Sequence, residues 1–155
     1  MLKVVRGPVR RRVLFAFALL LVCGASSAPA VAQDEWANLV REQVRRVGQR
    51  FSENGFAMSH QVYVESLDAG AHSDVNIALD VGKSYHFVGV CDGDCSDIDL
   101  SLRSPNGHVT DEDNLEDDHP MVAVSPSRGG TYVLRVTMVA CSANPCRFGI
   151  GSFSK

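Results

Sequence analysis

Two periodicities divide the chain. From Asp34 to Asn54 the apolar residues Trp36, Leu39, Val40, Val44, Val47 and Phe51 recur mostly at steps of three or four. That is one stripe of a 3.6-residue repeat and predicts an amphipathic helix. Asp34 is placed to cap its start and Asn54-Gly55 to end it, while Gly48 weakens it slightly. Past Gly55 the step falls to two. Strand-like segments are Val62 to Leu67, Asp74 to Leu79, Tyr85 to Val90, Asp97 to Arg103, Val122 to Val124, Thr131 to Val139 and Phe148 to Phe153. Alternation is strictest at Asp97 to Arg103, where Ile98, Leu100 and Leu102 face one way and Asp97, Asp99, Ser101 and Arg103 the other. Tyr132, Leu134, Val136 and Met138 likewise share a face. Turn signals at Gly82-Lys83, Pro105-Asn106-Gly107 and Ser127 to Gly130 separate these runs. The pattern predicts an all-β fold, an antiparallel sandwich of seven or eight short strands with one N-terminal helix.

The first 32 residues follow another rule. Lys3, Arg6, Arg10, Arg11 and Arg12 precede a ten-residue apolar run, Val13 to Val22, and then small residues up to Ala30-Val31-Ala32. A basic start, a short apolar stretch and an A-x-A site read as a secretory signal peptide. Ten helical residues span about half of a ~30 Å bilayer core, too few for an anchor. Cys23 follows Val22 instead of the small residue a lipid-attachment site wants, and Arg11-Arg12 lacks the rest of a twin-arginine motif. The expected organisation is a cleaved leader 1–32, a helix 33–55 and a sandwich domain 56–155, exported to the periplasm or the medium and without a transmembrane anchor after cleavage.

Cleavage changes the charge and the cysteine count. The whole chain carries 15 basic and 18 acidic residues, net −3. Losing five basic and no acidic residues leaves ten against eighteen, net −8, which excludes nucleic acid as a partner. Four cysteines remain: Cys91, Cys95, Cys141 and Cys146. An even count in an exported chain reads as two disulfides; three pairings are open, and the short spacings favour two local loops. The spacings also fit a pair of zinc knuckles loosely, but an oxidising compartment favours disulfides.

Acid dominates the middle of the domain. Asp92, Asp94, Asp97, Asp99, Asp111, Asp113, Asp117 and Asp118 flank one P-N-G turn, and carboxylates from two loops are the hard oxygen ligands calcium takes. The spacing is not that of an EF-hand, and a solvated acidic loop is the plainer reading. On the helix, Arg41, Arg45, Arg46 and Arg50 lie off the apolar stripe. Together with Trp36 they are candidates for a partner surface or for a homo-oligomer held by the acidic loops of a second copy. The plainer reading packs the stripe on the sandwich. No G-x-S-x-G, H-E-x-x-H or thioredoxin-like pattern is present, and the five histidines are scattered.

Three features lie in order between Tyr85 and Phe153: the strand D-I-D-L-S-L (Asp97 to Leu102), the turn S-P-N-G (Ser104 to Gly107), and G-G-T-Y-V-L-R-V (Gly129 to Val136) after an acidic loop. This stretch resembles the bacterial pre-peptidase C-terminal domain. The resemblance implies a jelly-roll-like β-sandwich that serves secreted enzymes as an accessory or substrate-binding module, in some cases with calcium. No protease domain precedes it here, and the cysteine pairs are not general features of that family. The expectation is an exported non-catalytic binding or accessory module. The alternatives are an envelope-associated protein assembling through its helix and a small secreted hydrolase.

Overall fold

The computed structural model describes residues 30–155, with side chains from Glu35 onward. The expected leader therefore lies outside the described residues as far as position 29. Helix α1 (Ala30–Glu53) begins four residues before Asp34, so Asp34 sits within the helix and not at its cap. Ala30 and Ala32 favour continuation of the helical turn upstream of the expected boundary. The other end closes as the sequence predicts. Gly55, at φ +80°, donates its N–H to the Ser52 carbonyl, and the Phe56 N–H reaches back to the Phe51 carbonyl. This is a Schellman cap. The accompanying apolar contact is present too, with the Phe51 and Phe56 rings edge to face at 5.6 Å.

Nine strands follow: β1 (Ala57–Met58), β2 (Tyr63–Leu67), β3 (His72–Leu79), β4 (Tyr85–Cys91), β5 (Cys95–Arg103), β6 (Val109–Asp113), β7 (Met121–Val124), β8 (Gly130–Cys141) and β9 (Cys146–Ser154). One antiparallel sheet runs β2-β9-β4-β7, with β1 beside the far end of β9; the other runs β3-β8-β5-β6. This order is that of an eight-stranded jelly roll with β1 added. Two strands, β1 and β6, were not expected from the alternation. Strand β6 looks like part of an acidic loop in the sequence because its inner positions carry aspartates where apolar residues would signal a strand.

Between the sheets the alternating residues interlock. Ile98, Leu100 and Leu102 of β5 and Leu134, Val136 and Met138 of β8 meet Phe87, Phe148 and Ile150 of the facing sheet, all essentially without solvent contact. Both disulfides are local, Cys91–Cys95 and Cys141–Cys146. Each ties a strand of one sheet to a strand of the other, and Cys95 and Cys141 are cross-strand partners, so both staples close the same end. The loops between them are bound together. Arg147 N–H donates to Asp92 Oδ2 at 2.9 Å and Ser142 N–H to the Asp94 carbonyl at 2.8 Å. In the chain-entropy model each bridge stabilises by about 2 kcal/mol.

Carboxylates close both long sides of the sandwich. On one side Glu65 of β2 accepts hydrogen bonds from Tyr63 and, at 2.7 Å, from Ser73 of β3. On the other, Asp111 and Asp113 of β6 accept the Ala123 and Met121 N–H groups of β7 at 2.7 and 2.8 Å. Those two amides would otherwise stand open on a sheet edge, where another strand can pair.

Helix α1 lies on the outer face of the first sheet. Val40 and Val44 are buried against β9, in a second cluster with Val88, Val90, Phe56 and Phe153. Glycine makes that approach possible. A Cβ on Gly149 would lie 2.2 Å from Val40 Cγ1, and one on Gly151 2.7 Å from Val44 Cγ1. Overpacking of this kind costs about 1–3 kcal/mol. Gly149→Ala is therefore expected to lower the midpoint of thermal unfolding, and Val40→Ala added to it to restore part of the loss. Equal melting of Gly149→Ala and the parent chain would contradict the packing.

Candidate binding groove

The helix covers β9 and β4 but stops short of β7, leaving Met121 48% exposed. The uncovered strip is a groove. Its floor follows from the alternation of β4: Tyr85 and Phe87 point inward, so His86 points out. The Schellman cap delivers Phe51 and Phe56 to the same place. Phe56 meets the His86 ring edge to face at 4.8 Å, and Phe51 meets it at 5.3 Å while stacking on Phe153 at 4.6 Å. The His86 Nδ1 is buried and has no hydrogen-bond partner. Burial lowers the His86 pKa, Lys155 adds to that and Asp111 opposes it, so the ring is neutral at neutral pH.

Two cations border these rings. Lys155 is anchored by paired backbone hydrogen bonds with Ser84, and its Nζ lies 4.3 Å above the centre of Phe56. Arg50 comes from the last turn of α1. Among the described residues neither forms an ion pair. Two hollows of about 410 and 430 Å³ adjoin here and share Phe56, His86 and Lys155. A further cleft of about 460 Å³ lies between the turn at Pro105 and the segment at Pro126. There the Ser104 and Tyr132 hydroxyls donate to the His108 and Arg128 carbonyls, and the lining carries no cluster of packed aromatic rings.

The eight candidate calcium ligands are dispersed among different tasks. Asp92, only 3% exposed, and Asp94 bind the disulfide loops, and Asp111 and Asp113 hold β7. Asp117 Oδ1 accepts the His119 N–H, and Asp118 Oδ1 contacts His119 Nδ1. Asp97 and Asp99 stand on the outer face of β5, and the Asp97 Oδ1 has no partner. Desolvation raises both their pKa values; Glu116 and Asp117 add to this for Asp97, and Asp97 and Asp113 for Asp99. The two acidic segments thus come within electrostatic reach of each other across the P-N-G turn. Among the described residues no three His, Cys, Asp or Glu side chains gather into a metal-holding group.

On the helix, the C-terminal half of the stripe packs on the sheet, while Trp36 and Leu39 are 37% and 45% exposed. Arg45 and Arg46 both reach Glu42, at 2.6 and 3.3 Å, and Arg41 reaches Asn38 at 3.4 Å. Hydrogen bonding by Arg45 leads the effects that lower the Glu42 pKa to about 2. Arg45 and Arg46 therefore share one acid a single turn away, and Arg50 alone of the four lines the groove. Among the described helices none is long and apolar enough to cross a membrane.

His86, Phe56 and Lys155 were not singled out as binding residues from the sequence. A histidine alternating within a strand and an aromatic after a helix-ending glycine are ordinary features, and only the fold brings them together. No family model matches the chain, and a search of curated proteins finds no match.

The two aspartate environments predict opposite outcomes. Asp97 holds a proton more readily in the folded than in the unfolded chain, so its contribution to stability falls as pH rises through the window above 3.8. Asp97→Asn is expected to raise the melting midpoint at pH 7 by about 1–3 °C. Asp113→Ala removes the acceptor for Met121 and should lose about 1 kcal/mol, with Asp113→Asn losing less because it keeps a carbonyl oxygen. Thermal melts of the three variants check both signs.

Proposed function

We propose that the protein is an exported, non-catalytic binding or accessory module that takes its ligand in the groove between α1 and β7. The observation that carries this reading is the incomplete helix cover. It leaves one strip of surface lined by three mutually packed, largely covered rings and bordered by two cations that form no ion pair among the described residues. Ligand sites are typically concave and apolar with a few placed polar groups, and this strip has that make-up. Export is supported by the leader-like first 32 residues and by the two disulfides, which persist in oxidising compartments. Kinship with pre-peptidase C-terminal domains rests on the D-I-D-L-S-L, S-P-N-G and G-T-Y motifs, and the sandwich fold supports it.

Two measurements test the reading. Protein recovered after expression of the full chain is expected to begin at Gln33 and to contain no free thiol by intact mass. Titration of the labelled mature protein with a set of small aromatic fragments is expected to move the amide resonances of Phe51, Phe56, His86 and Met121 first. Shifts confined to the loops at Pro105 and Pro126, or none at all, would refute the groove as the site.

Calcium enters as a stabiliser of the acidic edge in this proposal. Its support is the unpartnered Asp97 Oδ1 and the mutual repulsion of Asp97, Asp99, Asp113 and Asp117, which a divalent ion would relieve. The melting midpoint is expected to be higher in millimolar calcium than in EDTA, and the Asp97→Asn/Asp99→Asn double variant to lose that increment. An unchanged melting curve for the parent chain sinks the calcium idea and leaves the groove untouched.

A further inference from the structure

We infer that the groove selects an organic anion built on an aromatic ring, with Arg50 and Lys155 taking the anionic group and Phe51, Phe56 and His86 taking the ring. This inference rests on the groove being a binding site and specifies what it holds.

The choice of ring follows from the floor. Phe51, Phe56 and His86 meet at centroid separations of 4.8–5.6 Å, two of the three pairs nearly perpendicular. An added ring continues such a cluster by edge or face, the arrangements aromatic groups prefer. Met121, exposed on the opposite wall, offers a sulfur to the edge of the same ring. A hollow of about 410 Å³ has room for a single- or double-ring compound and not for a folded polypeptide segment.

The sign of the charge follows from the border. Rings clustered in this way often accept a cation, but here the protein supplies its own: Lys155 Nζ already lies over Phe56. A second cation would meet both Lys155 and Arg50. Neither of these is neutralised by a carboxylate among the described residues, in a mature chain whose net charge is −8. The acid nearest to His86 in effect is Asp111, and both its oxygens are held by backbone N–H groups, Oδ1 by Glu112 and Oδ2 by Ala123. An arginine and a lysine on the border of one hollow suit a carboxylate or phosphate, which a guanidinium engages in a planar, two-pronged way. His86 contributes its ring to the floor, since its Nδ1 is buried away from the groove.

Phenylacetate and its uncharged counterpart phenylacetamide separate the ring from the charge. Each is titrated into the mature protein at low salt and followed by amide resonances. Phenylacetate is expected to shift the groove resonances and to bind at least fivefold more tightly than phenylacetamide. Raising the salt should weaken phenylacetate and leave phenylacetamide unchanged. Arg50→Gln/Lys155→Gln is expected to remove the preference. Equal binding of the two probes, or a preference that survives high salt, overturns the anion assignment while leaving the groove as a site. Absence of groove shifts with either probe and with the fragment set overturns both readings. The comparison on the parent chain decides the matter even where the double variant fails to fold.

Discussion

Helix α1 rests on a strand stripped of side chains. At Gly149 and Gly151 the outer face of β9 has no Cβ, and Val40 and Val44 occupy the space those atoms would fill. The contact sets the height of the helix above the sheet, because larger residues would push the two apart. It also sets its lateral position over β9 and β4. Farther along, Phe153 projects outward, stacks on Phe51 and stands close to Gly48 of the helix, which likewise lacks a Cβ. The glycine that weakens the helix by intrinsic propensity is thus a point of close approach in the fold.

Everything on the open strip follows from that placement. A helix seated over β9 cannot also cover β7, so one side of the sheet's outer face stays bare. The helix ends at Gly55, and its cap turns Phe56 back toward Phe51 over the half-buried imidazole of His86. Paired backbone hydrogen bonds with Ser84 bring Lys155 to the same point. The groove is therefore a by-product of how an amphipathic helix of limited width covers a wider sheet.

The surplus of acid has a structural use. A jelly roll presents two long edges, and here both are crossed by carboxylates instead of by a continued sheet. Glu65 joins β2 to β3, and Asp111 with Asp113 joins β6 to β7. Asp92 does comparable work at the disulfide-closed end. What remains over is the group around Asp97 and Asp99, whose raised pKa values record desolvation and repulsion without a compensating partner. Acidic residues that look alike along the chain thus do different work, some fastening edges and some left in an unrelieved patch.

Much of this architecture is legible in the chain itself. A strand with one buried face needs a period of two, and a helix on a sheet needs 3.6, so seven strands, the helix and the buried faces of β5 and β8 could be read from alternation alone. The short cysteine spacings likewise favoured the local pairings that the structure has. Strand β6 escaped that reading because its inner residues bond sideways to β7 and carry no apolar signal. The groove escaped it for a deeper reason. Arg50, Phe56, His86, Met121 and Lys155 come from a helix, a cap, two strands and the far end of the chain. Local sequence sets which way each side chain points, but which of them meet depends on the sheet order β2-β9-β4-β7 and on two glycines that let one helix settle where it does.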